Sequence, residues 1–205
     1  MANSTRPSSR YMLNKTKYLL PPEVEKLRSL IEDHQLRDPR NCFLLSLGLR
    51  TGARASELLL TQKSDLNTYD ESIFVRGIKG SNDREIPLHS QFFRVLHSWS
   101  ETQTGNRLFP ICYHRLYQIW DLYRPVHKKF HSLRHTFAIE LYQKTRDLRL
   151  VQVALGHRNI TNTMIYADYV YSQQELRKII LGEPHQPVRN RSAMARPKQP
   201  KPQEI

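Results

Sequence analysis

Cysteine is scarce in this chain: Cys42 and Cys112 are the only two, and neither has the spacing of a metal-ligand pair. A disulfide framework and a cysteine zinc site are thereby excluded, and two reduced, buried thiols are expected. No run of about twenty apolar residues occurs, and the amino terminus has no apolar signal-peptide core. Neither a membrane span nor secretion is expected, and the cytoplasm is the expected compartment. Acidic side chains are in deficit, with 19 Asp and Glu against 32 Lys and Arg, for a net charge of +13. A polyanion suits such a surface far better than a small neutral ligand does, so nucleic acid is the first candidate partner.

The 205 residues suffice for one core-forming domain with tails, and no internal repeat is evident. Residues 1–17 are polar and basic, and residues 183–205 hold five of the twelve prolines among Arg, Lys and Gln. Both ends are expected to be disordered or to fold on DNA, leaving a domain over 18–182. Pro22 sets a helix start, and Val24, Leu27, Leu30 and Ile31 give that helix one apolar stripe. A second helix over about 40–50 is nearly all apolar, hence central, and Gly52 is placed to break it. Between Ser72 and Leu88, β-branched and apolar residues flank the turn-rich centre Lys79-Gly80-Ser81-Asn82-Asp83, which predicts a hairpin. Helices follow over about 90–101, 113–123, 132–144, 148–155, 161–167 and 172–181. The fold class is α+β, mainly α-helical, with a small antiparallel hairpin or sheet.

The residues that carry chemistry are spread along the chain: Arg54, His131-Ser132-Leu133-Arg134-His135, Leu155-Gly156-His157 and, nine residues later, Tyr166. Phosphodiester chemistry needs such a set. Arginines neutralise the nonbridging oxygens of a crowded phosphate, imidazoles move or orient protons, and a phenol attacks to store the bond as a phosphotyrosine. His131 and His135, one helical turn apart, also have the spacing of a metal pair, but no Glu lies between them as in H-E-x-x-H and no Cys or Asp ligand is near. No metal or cofactor is expected. Tyr166 has apolar neighbours in Met164, Ile165 and Tyr169, so core packing is its plainer reading, and Tyr169 and Tyr171 are rival nucleophiles.

Taken in order, these segments resemble the boxes of the tyrosine recombinases, or phage integrase family. Thr51-Gly52-Ala53-Arg54-Ala55-Ser56-Glu57-Leu58 resembles the first arginine box, in which Gly ends one helix and R-x-S-E-L opens the next. Residues Val75 to Leu88 resemble the hairpin bearing the mobile catalytic lysine, here Lys79, with Arg76 and Arg84 close by. His131 to His135 matches H-x-L-R-H, and Leu155 to Tyr166 matches L-G-H followed by the nucleophile.

The resemblance covers roughly residues 20 to 180 and implies a role for each position. Tyr166 would attack the scissile phosphate to give a 3′-phosphotyrosine and a free 5′-hydroxyl. Arg54 and Arg134 would hold the nonbridging oxygens, and Lys79 would protonate the departing 5′-oxygen. His131 would serve as acid and base toward the tyrosine oxygen, and His157 would hydrogen-bond the phosphate or the leaving group. Glu57 and His135 would hold these groups in place. The implied partner is double-stranded DNA with inverted-repeat recombination sites, on which a homotetramer forms from a free monomer or weak oligomer, with DNA-bending accessory proteins where needed.

Most such proteins carry a helical core-binding domain ahead of the catalytic one. The short layout here is similar to that of the fimbrial phase-variation invertases, so DNA inversion is the first expectation, ahead of excision, integration or resolution. A catalytically silent DNA-binding regulator and a telomere-resolving or type IB topoisomerase-like enzyme are the alternatives.

Overall fold

The structure, a computed structural model, describes residues 13–78, 80–169, 171 and 173–182. Lys79, Val170, Ser172 and most of the two basic tails lie outside the described residues. Helix α1 (Pro21–His34) starts on a proline and turns Val24, Leu27 and Ile31 inward, as the apolar stripe predicts. Its first turn is held by Glu23, whose carboxylate accepts from Leu20 N–H (2.8 Å) and from Lys128 Nζ (2.5 Å). Helix α2 (Pro39–Thr51) is buried along nearly its whole length and ends at Gly52, which adopts φ +60. A short α3 (Ala55–Leu59) follows at once, with Arg54 at its N-cap.

Three strands then form an antiparallel sheet in the order β1 (Leu66–Asn67), β2 (Ser72–Val75), β3 (Arg84–Pro87), with Val75 opposite Arg84 and Ile73 opposite Ile86. The β2–β3 pair is the expected hairpin. The two-residue β1 was not expected, because so short a strand shows no alternation. Helices α4 (Ser90–Glu101), α5 (Tyr113–Tyr123), α6 (Ser132–Thr145) and α7 (Leu148–Leu155) fall within a residue of their expected bounds. Asp147 caps α7 by accepting from Arg149 N and Leu150 N, and Gly156 closes it at φ +69.

Two expectations are corrected. The helix expected over 161–167 is a pair of 3₁₀ segments, Ile160–Asn162 and Met164–Tyr169. Thr163 between them has its hydroxyl 2.9 Å from His157 Nδ1, a bond that fixes the chain where a regular helix would run on. Cys42 is a buried thiol, but Cys112 is exposed, since it is the N-cap of α5 and lies outside the packed face of that helix.

The large core centres on α2 and gathers α1, α3, α4, α5 and the sheet. A smaller core of Leu13, Ala138, Ile139, Tyr142, Val151, Leu155 and Tyr166 fastens the last 3₁₀ segment onto α6 and α7. Burial of these apolar side chains, about 1.5–3 kcal/mol each for the larger ones, sets where Tyr166 sits. Residues up to Val170 form one compact unit, and a second begins at Tyr171 and contains α8 (Gln173–Leu181). On α8, Ile179, Ile180 and Leu181 are exposed. No helix among the described residues is long and apolar enough to cross a membrane.

Candidate active site

Gly52 turns the chain sharply out of α2, and a Cβ there would lie 2.5 Å from the Phe137 ring, so only glycine fits the turn. The turn delivers Arg54 to the start of α3. There the Glu57 carboxylate accepts from Arg54 N–H (2.8 Å) and from Arg54 Nη1 (2.9 Å). Glu57 is fully buried and also takes a bond from Arg84 Nη2 (2.8 Å), while Arg134 Nη1 stands 3.9 Å away. Burial alone would raise the Glu57 pKa. The bond and charge of Arg84, the Arg54 main-chain bond and the Arg134 charge outweigh it and hold the carboxyl below its ordinary value.

Arg134, on the first turn of α6, is 2% exposed. Its Nη1 donates to Gly52 O (2.7 Å) and its Nη2 to Leu155 O (2.8 Å). Both carbonyls end helices, α2 and α7, where unpaired oxygens and the negative end of the helix dipole favour a cation. Burial, with the neighbouring Arg54 and Arg84 charges, presses against the charged form of Arg134. Three guanidiniums thus surround one carboxylate, an excess of positive charge in a poorly solvated place. An anion bound there would relieve it.

The histidines line the same place. His157 directly follows Gly156, and its Nδ1 is engaged by the Thr163 hydroxyl, leaving Nε2 as the ring's other polar atom. Desolvation, with the charges of Arg134, Arg54 and Arg84, lowers its pKa to about 3. His131 precedes α6 at the rim, where desolvation, followed by the charges of Arg134 and Arg54, lowers its pKa to about 4. Its ring meets the His135 ring edge-on at 4.7 Å. His135 Nδ1 is 2.9 Å from Tyr166 Oη, and desolvation, followed by the charges of His131 and Arg134, lowers the His135 pKa to about 3. All three imidazoles are therefore neutral at pH 7.

The structure brings Arg54, Glu57, His131, Arg134, His135, His157 and Tyr166 together. Of the rival tyrosines, Tyr169 donates its Oη–H to Leu13 O (2.6 Å) and packs edge-on against Tyr18, which turns it toward the amino-terminal segment, and Tyr171 belongs to the second unit. The imidazole touching Tyr166 is His135, where the family pattern implies His131. Tyr166 is 1% exposed, so its oxygen is not presented to solvent. Lys79 is outside the described residues, but its hairpin is defined on both sides. Ser81 N donates to Ile78 O (3.2 Å), Gly80 adopts φ +82, and Gly77 N donates to Asp83 Oδ1 (2.7 Å).

Three participants were missed. Arg84 was noticed only as a neighbour of Lys79, yet it sits on β3 in alternation with buried Ile86, and an arginine on the inward face of a strand was the available signal. Ser81 and Thr163 gave none, since a serine in a turn and a threonine in a loop are ordinary. Among the described residues, no group of three or more His, Cys, Asp or Glu could hold a metal ion.

A model of the phage integrase family matches residues 17–173. The chain belongs to the phage integrase family. Among its relatives in that family, the tyrosine recombinase XerA of Thermococcus onnurineus is 31% identical over 184 residues, covering 81% of this chain and 64% of that protein. The family fold recurs in solved structures. The catalytic domain of bacteriophage HP1 integrase superposes with a TM-score of 0.61 at 26% identity, covering 84% of this chain and all of that one. The XerH recombinase bound to its palindromic difH substrate gives 0.61 at 26% identity over 82% of this chain and 53% of that one. The chain spans between 56% and 64% of the length of the first curated relatives it matches.

Proposed function

We propose that this integrase-family chain is a site-specific DNA recombinase that cuts and rejoins strands through a 3′-phosphotyrosine on Tyr166, with no metal in the reaction. The observation that carries this reading is the junction of a phenol in contact with a neutral imidazole and a buried cluster of guanidiniums in excess over their one carboxylate. In the forward step the Tyr166 oxygen bonds to phosphorus as its proton passes to an imidazole. His135 holds that oxygen in the resting structure, and the His131 ring lies against that of His135 from the N-cap of the same helix. Charge on the nonbridging oxygens is met by Arg54, Arg134 and His157, which serves as a donor through Nε2 when the Thr163 hydroxyl donates to its Nδ1. The bond to the 5′-oxygen breaks, and that oxygen takes a proton from Lys79. Ligation is the reverse, with a new 5′-hydroxyl attacking the phosphotyrosine.

The DNA partner is supported by the excess of basic residues and by the XerH neighbour, whose structure holds a palindromic DNA substrate. The test is strand exchange on plasmids carrying the inverted or direct repeats found beside the gene, assayed in EDTA. Recombinant product in EDTA supports the reading. Product that appears only when Mg²⁺ or Zn²⁺ is restored would refute the metal-free mechanism. One observation favours a second reading: the burial of Tyr166 also suits a catalytically silent DNA-binding regulator. Such a protein would bind the repeats in a gel-shift assay and leave no covalent adduct.

A further inference from the structure

We propose that Ser81 is a positioning residue of this active site, tying the β2–β3 hairpin to Arg54 and to the end of α7, and that its loss is felt in the protonation of the leaving oxygen. The inference rests on the reading of Lys79 as the group that protonates that oxygen. It starts from a hydroxyl with two partners from distant parts of the chain. Ser81 Oγ accepts from Arg54 Nη1 (2.7 Å) and donates to Gly156 O (3.1 Å), and the residue is 6% exposed. Asn82 N donates to the same Gly156 carbonyl (2.8 Å), and Ser81 pairs with His157 as a single antiparallel bridge. Three segments of the site therefore meet at one side chain.

The close approach depends on Gly156. A Cβ there would stand 2.6 Å from Asn82 O and 3.2 Å from Ser81 Oγ, and the residue lies at φ +69. The far side of the hairpin is open by contrast, since a Cβ on Gly80 would meet nothing within 4 Å. The bonds at Ser81 and Asn82 fasten this side of the hairpin to Arg54 and Gly156. Arg54 is in the opposite position, because Glu57 fixes both its main chain and its guanidinium whether or not Ser81 is present. Loss of the Ser81 hydroxyl should therefore be felt at the hairpin and its lysine more than at Arg54. A displacement of a reacting group by about 1 Å is enough for a rate loss of about a hundredfold.

The leaving group separates the two sites of action. With an oxygen leaving group, the phosphorus–oxygen bond breaks, the electron pair goes to the 5′-oxygen and the Lys79 ammonium supplies its proton. With sulfur at that bridging position the thiolate departs unprotonated, because thiols are far stronger acids than alcohols. A defect in Lys79 is thus repaired by sulfur, whereas a defect in phosphate neutralisation is not.

The experiment is single-turnover cleavage of matched oxygen and 5′-sulfur substrates by the whole protein, comparing wild type, Ser81→Ala, Lys79→Ala and Arg54→Ala. The ratio of sulfur to oxygen rates is independent of how much of a preparation is folded. Ser81→Ala is expected to slow the oxygen substrate by roughly tenfold to a hundredfold and to approach wild type on sulfur, following Lys79→Ala and not Arg54→Ala. Equal losses on both substrates, or no loss on oxygen, would overturn the assignment of Ser81 while leaving Lys79 as the acid. If Lys79→Ala is itself not restored by sulfur, the reading of Lys79 fails, and the role of Ser81 falls with it.

Discussion

Glu57 balances three arginines, and its removal should be costly in a way that removal of any one of them is not. Breaking a buried ion pair by deleting one partner costs about 3–5 kcal/mol, because the remaining charge stays desolvated. Glu57→Gln is therefore expected to lower stability on that order in urea denaturation. Arg54→Ala and Arg134→Ala should each cost about 3–4 kcal/mol in the cleavage step with modest loss of DNA binding. Equal losses in binding and rate would mean ground-state phosphate contacts. Arg134→Ala, unlike Arg54→Ala, should also lower the melting temperature, since Arg134 bonds carbonyls at the ends of both α2 and α7. The pH dependence has a definite sign. His135 and His157 are lowered from 6.5 to about 3, so the unfolded chain binds more protons than the folded one below pH 6.5. Their contribution to stability is complete above pH 6.5 and is lost as pH falls from there toward 3, which melting curves across that range will show. A melting temperature that is flat across that range would refute the buried, neutral imidazoles. At this scale the side chains that the structure gathers into one place were legible in the sequence because their types are rare in such company. Ser81, Thr163 and the inward face of Arg84 were not, since their parts come from contacts made across the fold.

The site stands where chain turns bring helix ends together. Gly52 ends α2 with its carbonyl on Arg134, and Gly156 ends α7 with its carbonyl on the β2–β3 hairpin. Gly156→Ala would press a Cβ against Asn82 O at 2.6 Å and hold an L side chain at φ +69. A loss of about 1–3 kcal/mol is expected from the backbone conformation alone, together with a weakened hairpin dock. Melting and single-turnover cleavage should fall together in this variant. Unchanged cleavage would show that the hairpin docks without Gly156. The long helices were legible because their apolar spacing repeats over several turns, and the glycines that end them are explicit. The strand Leu66–Asn67 and the 3₁₀ segments around Tyr166 were not, because two to six residues carry no period and their geometry is set by tertiary bonds such as His157 to Thr163.

The whole molecule is a basic chain whose first compact unit ends at Val170 and whose second contains a helix with exposed Ile179, Ile180 and Leu181. DNA affinity resting on phosphate neutralisation should fall linearly on a log–log plot against salt, with a slope near −0.9 per phosphate contacted. We propose exchange of α8 between subunits on DNA as the role of its exposed Ile179, Ile180 and Leu181. Truncation after Tyr171 is expected to leave melting of the free protein unchanged and to eliminate tetramer formation and strand exchange. A large fall in melting would place that helix in the protein's own core, and a truncated protein that still recombines would show it to be dispensable. The family was legible from four motif boxes in order, whereas the resting position of Tyr166, buried against His135, depends on a small core that no motif announces. The central claim is that Tyr166 forms the covalent bond to DNA. Its most direct test is trapping on a substrate nicked beside the cleavage site, in EDTA, with wild type, Tyr166→Phe and Tyr169→Phe compared on denaturing gels. The account predicts a protein–DNA adduct for wild type and Tyr169→Phe and none for Tyr166→Phe, which should still bind the duplex. An adduct that persists in Tyr166→Phe would contradict it.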